Sequence, residues 1–143
     1  MELVALAMLA VAGVAAATAR EDELKRVINR NTGFAHLTRG MNMYTLIALR
    51  SCVSDADLPV LRRMLFDRDY VTQLSAAGVL VDMGTGGRAT LAGALPEAGD
   101  ARARMTIQDA LREVDDPNRR PLAAYPLDER ERRRIKGCGA FAR

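Results

Sequence analysis

The sequence predicts an all-α fold: an antiparallel helical-hairpin solenoid of about three layers, with an apolar helix at its N-terminus. Three observations carry this expectation. Apolar residues make up 49% of the 143-residue chain and aromatic residues only 4%, with Ala and Leu dominant, a balance that favours helix over sheet. Apolar side chains recur three and four apart, the spacing of one helix face. One segment also returns at a fixed step of 31 residues: YTLIALRSCV starts at Tyr44, SAAGVLVDMG at Ser75 and TIQDALREVD at Thr106. The length suits one domain.

The chain opens with an uncharged run, LVALAMLAVAGVAAATA, from Leu3 to Ala19. As a helix these residues would be roughly 25 Å long, a little short of the ~30 Å hydrocarbon layer. Six Leu and Val side chains contribute only about −3 kcal/mol to insertion, because Ala is nearly neutral. Two membrane-directed readings follow. Ala17-Thr18-Ala19 fits the small-x-small pattern of a cleaved secretory signal, but the preceding residues hold Glu2 and no basic side chain. An uncleaved single-pass anchor is the leading expectation. Arg20, Lys25 and Arg26 follow the run, and the positive-inside rule then puts the rest of the chain in the cytoplasm. The alternative is export to the periplasm after cleavage near Ala19. A third reading is a buried Ala-rich helix of the solenoid.

Beyond the apolar run lies the repeat. At the step of 31, Leu49, Leu80 and Leu111 coincide, as do Ala48, Val79 and Ala110, and Cys52, Met83 and Val114. These positions form one face of a second helix in each unit. The first helix of the unit repeats too, with Val60 matching Leu91 and Met64 matching Leu95. Pro59 falls in the first turn of its helix, where its missing N–H costs nothing, and Ser54 or Asp55 suits the cap. Asp69 and Asp100 coincide just before the second helices, where an N-cap belongs. Gly84, Gly86 and Gly87 close one unit and Asp115-Asp116-Pro117 the next. Two clear units result, residues 55–84 and 85–115. A degraded unit spans about 20–53, with NTGFAHLTRGMNM as an irregular connection. Terminal repeats are commonly atypical because one side lacks a neighbour.

These residues resemble the short HEAT-like repeats of the phycobilisome-lyase type over roughly residues 39–117. Ala76-Ala77, Leu80 and Met83-Gly84 match that family's second-helix pattern, while Thr72-Gln73 replaces its Val-Arg pair. In the next unit Arg104 stands at the Arg position and Ile107-Gln108 replaces Ala-Ala. The resemblance implies an α-solenoid that presents a partner-binding surface. It also reaches a bilin-lyase type of enzyme, by analogy of fold alone.

The resulting organisation is an apolar anchor or signal segment at 1–19, the solenoid at 20–117 and a basic tail or capping helix at 118–143. The tail carries eight basic and three acidic residues within an overall charge of +3. Basic residues number 21, and only Lys25 and Lys136 are lysines. DERERRRIKG, Asp128 to Gly137, reads as a solvated end helix. No aromatic residue is interleaved to stack on bases.

No catalytic, cofactor or metal residues are expected. His36 is the single histidine, has no acidic neighbour, and reads as a loop or packing residue. MGTGGRAT lacks P-loop spacing and follows a helix rather than a strand. Cys52 reads as a small apolar core filler and Cys138 as a dispensable tail thiol, two cysteines being too few for a disulfide framework. The expected function is a non-enzymatic scaffold that binds a protein partner near a membrane, through the polar residues Arg50, Gln73, Asp82, Arg104 and Arg112 of the second helices. The alternative is a helical repeat that binds nucleic acid or an anionic surface through its arginines, with affinity falling steeply with salt.

Overall fold

A computed structural model describes residues 2–32 and 43–138, the side chains of residues 2–7 and 9 excepted. Among the described residues there are seven α-helices and no strand. They are α1 (Glu2–Asn31), α2 (Met43–Arg50), α3 (Leu58–Met64), α4 (Tyr70–Asp82), α5 (Gly84–Ala94), α6 (Ala101–Val114) and α7 (Glu129–Arg134). Short 3-10 turns at Asp55–Asp57, Leu95–Glu97 and Leu122–Ala124 link some of them. His36 and most of the expected irregular connection lie outside the described residues.

The helix starts follow from local chemistry. Asp69 caps α4 by accepting from the Thr72 N–H at 3.2 Å, and Asp100 caps α6 by accepting from Ala103 N–H at 2.7 Å. Each satisfies a donor that the helix itself leaves unpaired. Pro59 sits in the first turn of α3. Asp128 and Glu131 form a reciprocal capping box at α7, at 2.7 and 2.8 Å.

Helices α1, α3 and α5 pack in sequence against one another, and so do α2, α4 and α6; α1 also packs on α2, α3 on α4, and α5 on α6. The core lies between these two rows. Leu24 and Ile28 of α1, Ile47 and Leu49 of α2, Leu61 and Met64 of α3, Leu80 of α4, Leu91 of α5 and Ile107 of α6 are all at most 1% exposed. Of the residues that coincide at the 31-residue step, Ala48, Val79 and Ala110 are buried, as are Leu49 and Leu80. Leu111, Cys52, Met83 and Val114 are half-buried against the same core.

Two glycines shape the junction of α4 and α5. Gly84 has φ +66°, the left-handed region that a residue with a Cβ adopts at a cost. Gly87 is buried, and a Cβ there would overlap the Leu80 carbonyl oxygen. Gly87→Ala is therefore expected to force α5 away from α4 and to cost about 1–3 kcal/mol, read as a lower midpoint in chemical denaturation. An unchanged midpoint would mean that the turn yields without cost.

The N-terminal half of α1 stands clear of the core. Met8, Val11 and Val14 are 69%, 70% and 68% exposed, and among the described side chains of the helix the first fully buried one is Leu24. Attachment begins near Ala17, whose carbonyl accepts from Arg63 Nη2 at 3.3 Å. Among the described residues no helix is long and apolar enough to cross a membrane.

Attachment is then secured by ion pairs. Arg20 grips Asp57 through two nitrogens, at 2.8 and 3.0 Å, and donates to the Cys52 carbonyl at 2.5 Å. The Arg20 guanidinium holds the Asp57 carboxyl below its ordinary value, against the opposing effect of burial, with help from the Ser54 N–H. Asp67 is also lowered: burial pushes it up, but the bond from Lys25 and the Asp69 N–H outweigh this. A carboxylate whose folded pKa is depressed stabilises the fold above its unfolded pKa, and that stability disappears as pH falls through the folded value. Stability is therefore expected to be flat above the ordinary carboxylate value of 3.8 and to drop at more acid pH. Asp57→Asn should shrink that acid limb in a series of denaturation curves against pH; an identical limb would remove Asp57 as its source.

The cysteines correct the sequence expectation. Cys52 and Cys138 are neither a lone core filler nor a dispensable thiol but a disulfide, joining residues 86 apart in sequence with Cα atoms 4.9 Å apart. Ile135 is buried at 3% exposure, and its burial carries the chain beyond α7 back across α2, which places Cys138 beside Cys52.

Candidate interaction surface on the second helices

Helices α2, α4 and α6 line one side of the molecule, and the five polar residues expected to make contacts fall into three kinds. Arg50 and Asp82 belong together: Arg50 Nε donates to Asp82 Oδ2 at 3.0 Å. Asp82 Oδ1 accepts from the Leu122 N–H at 2.8 Å and faces Arg119 at 3.7 Å. This pair ties α2 to α4 and fastens the segment after α6 over both.

Gln73 is corrected outright. It is 1% exposed, and its Nε2 donates to the Leu65 carbonyl at 2.7 Å. The α3 helix ends at Leu65, which leaves carbonyls without intrahelical partners; Gln73 satisfies one from the first turns of α4. A residue buried for that purpose is not on the contact face. Its position coincides with Arg104 at the 31-residue step, yet Arg104 is exposed and donates to the Ala98 carbonyl at 3.3 Å. Arg112 is exposed and pairs with Asp109 one turn earlier on α6.

Between α4 and α6 runs a groove of about 460 Å³. Leu74, Ala77, Gly78 and Val81 of α4 and Met105 of α6 line it. Met105 is 59% exposed. Its rim carries charge of opposite sign at the two ends of α6: Arg102 at one, Asp109 and Glu113 further along. Arg102 lies over the Tyr70 ring with its guanidinium carbon 5.1 Å from the centroid and donates to the Arg68 carbonyl at 2.9 Å. Such a cation over an aromatic face is held electrostatically by the ring quadrupole. Gly78 lets Leu46 of α2 approach closely, at a distance where a Cβ would stand 2.7 Å from the Leu46 side chain.

The groove residues Tyr70, Arg102 and Met105 escape a reading of polar helix positions. A signal for the first two does exist in the sequence. Tyr70 directly follows the Asp69 cap and Arg102 follows the Asp100 cap by two, so both sit on the first turns of helices that occupy equivalent places. Among the described residues no group of three His, Cys, Asp or Glu side chains is placed to hold a metal ion. Comparison of the chain with protein-family models, with curated proteins and with solved structures gives no match.

Proposed function

We propose that this chain is a non-enzymatic scaffold: a three-layered helical-hairpin solenoid that binds a protein partner through the α4–α6 groove. The pairing of α1 with α2, α3 with α4 and α5 with α6 supports three hairpin layers, and stacked hairpins of this kind offer an extended surface to a partner. The interlayer bond from Arg62 to the Gly93 carbonyl, at 3.2 Å and a sequence step of 31, fits the same arrangement. The observation that carries the functional reading is the groove itself, with an apolar floor, an exposed Met105 and a rim charged at both ends. A buried apolar centre within a polar rim is the usual anatomy of a protein interface.

The solenoid works outside the cytoplasm in this proposal, delivered there by residues 3–19. The Cys52–Cys138 disulfide favours an oxidising compartment and outweighs the basic residues after the apolar run, which favour the opposite side. The first tight attachment to the body, at Arg20, lies directly after Ala19, so loss of residues 1–19 would leave the core residues from Leu24 onward in place.

The test is a photo-crosslinking residue at Met105, compared with one at the exposed Arg133 on α7. The scaffold reading expects a discrete protein adduct from Met105 alone. Equal adducts at both positions, or none, would overturn it. Fusion of the C-terminus to alkaline phosphatase tests the side of the membrane: activity is expected, and an inactive fusion with a fluorescent cytoplasmic counterpart would place the domain inside.

A further inference from the structure

Residues 135–138, after α7, form a strap laid across α1 and α2. Ile135 leaves the helix in extended conformation and is buried. The Asn31 side chain, itself fully buried, reads the next residue at both backbone groups: its Oδ1 accepts from the Lys136 N–H at 2.9 Å and its Nδ2 donates to the Lys136 carbonyl at 3.0 Å. A Cβ at Gly137 would overlap the Ser51 hydroxyl oxygen and stand 3.1 Å from Ala48 Cα. Ser51 Oγ accepts from the Cys138 N–H at 2.7 Å. The covalent link to Cys52 completes the attachment.

These non-covalent contacts are few, and three of them are single hydrogen bonds of modest net worth. The disulfide keeps the strap beside Asn31 and Ser51, which raises the local concentration of the docking segment. Both cysteines are half-buried rather than sealed in the core, which leaves part of each residue open to solvent.

We propose that the Cys52–Cys138 disulfide is a thiol-exchange site, cleaved by a dithiol reductant to release the 135–138 strap and uncover the Asn31 and Ser51 side chains that hold it. One thiolate of the reductant attacks one of the two sulfurs, forming a mixed disulfide and expelling the other cysteine as thiolate. The second reductant thiol resolves the mixed disulfide. Two electrons and two protons pass to the chain, and the reductant leaves as a disulfide.

Hydrogen exchange on the full chain, oxidised and then reduced with dithiothreitol, tests this. In the oxidised chain the Lys136 and Cys138 amides should be protected by Asn31 and Ser51. Reduction should speed their exchange by at least about 100-fold, with the core amides of α4 and α6 still slow, as for local opening of one segment. Cys52→Ser/Cys138→Ser without reductant should reproduce the reduced pattern. Unchanged protection after reduction would show that the strap stays docked without the bond. Loss of protection throughout α4 and α6 would show a disulfide that only holds the fold. Either result overturns the proposal.

Discussion

Leu80→Asp is expected to abolish cooperative folding. Leu80 is fully buried in the last turn of α4, the helix that packs on α2, α3, α5 and α6. Truncating such a leucine to alanine alone costs about 2–5 kcal/mol, in transfer energy and cavity. Aspartate adds a carboxylate with no partner in an apolar site, a penalty of several kcal/mol more. Together these approach or exceed the whole stability of a typical domain, about 5–15 kcal/mol. Thermal melting followed by circular dichroism should lose its cooperative transition. Met105→Asp, at a residue that is 59% exposed, should leave the transition in place, because surface changes cost about ±0.5 kcal/mol. A Leu80→Asp protein that melts like the parent would mean that α4 does not form the centre of the core.

Removing the disulfide is the second large effect. Cys52→Ser/Cys138→Ser frees an unfolded chain that the bond otherwise restrains over 86 residues. Chain-entropy reasoning puts the loss near 4.5 kcal/mol, since restraint grows slowly with loop length. Guanidinium unfolding of the oxidised parent and the double variant should show a clearly lower midpoint for the variant. Equal midpoints would mean that the denatured chain already keeps residues 52 and 138 close. The loss is smaller than the stability of most domains, so a folded body with a freed strap is the expected product of reduction, in keeping with the exchange-site proposal.

The scaffold reading and the thiol-exchange reading stand on separate parts of the molecule. The α4–α6 groove is formed without the C-terminal segment, whereas the strap covers α1 and α2. A crosslink at Met105 that persists in reduced protein would separate the two; one that appears only after reduction would join them.

Much of the helical framework is legible in the sequence, because helices are governed by neighbours three and four residues away. The Asp69 and Asp100 caps, the Pro59 entry, and the inward face holding Ala48, Val79 and Ala110 are all local patterns. The turn at Gly84 is local too, since a left-handed residue there needs no distant partner. The candidate surface was legible only in outline. Arg104 and Arg112 are exposed as their polarity suggests. Gln73, with the same polarity, is buried because the end of α3 leaves the Leu65 carbonyl in need of a donor.

By itself, then, the sequence determined that this chain is helical, where α3, α4 and α6 begin, and which faces of the repeated helices turn inward. Periodicity and capping are written within a few residues, and solvent exclusion of the apolar stripe follows from them. Only the tertiary structure decided the pairings across long stretches of chain: Arg50 with Asp82, Asn31 with Lys136, Cys52 with Cys138. Such pairings depend on the path of the backbone between the partners. That path is set by how the whole core packs, which no short window of residues records.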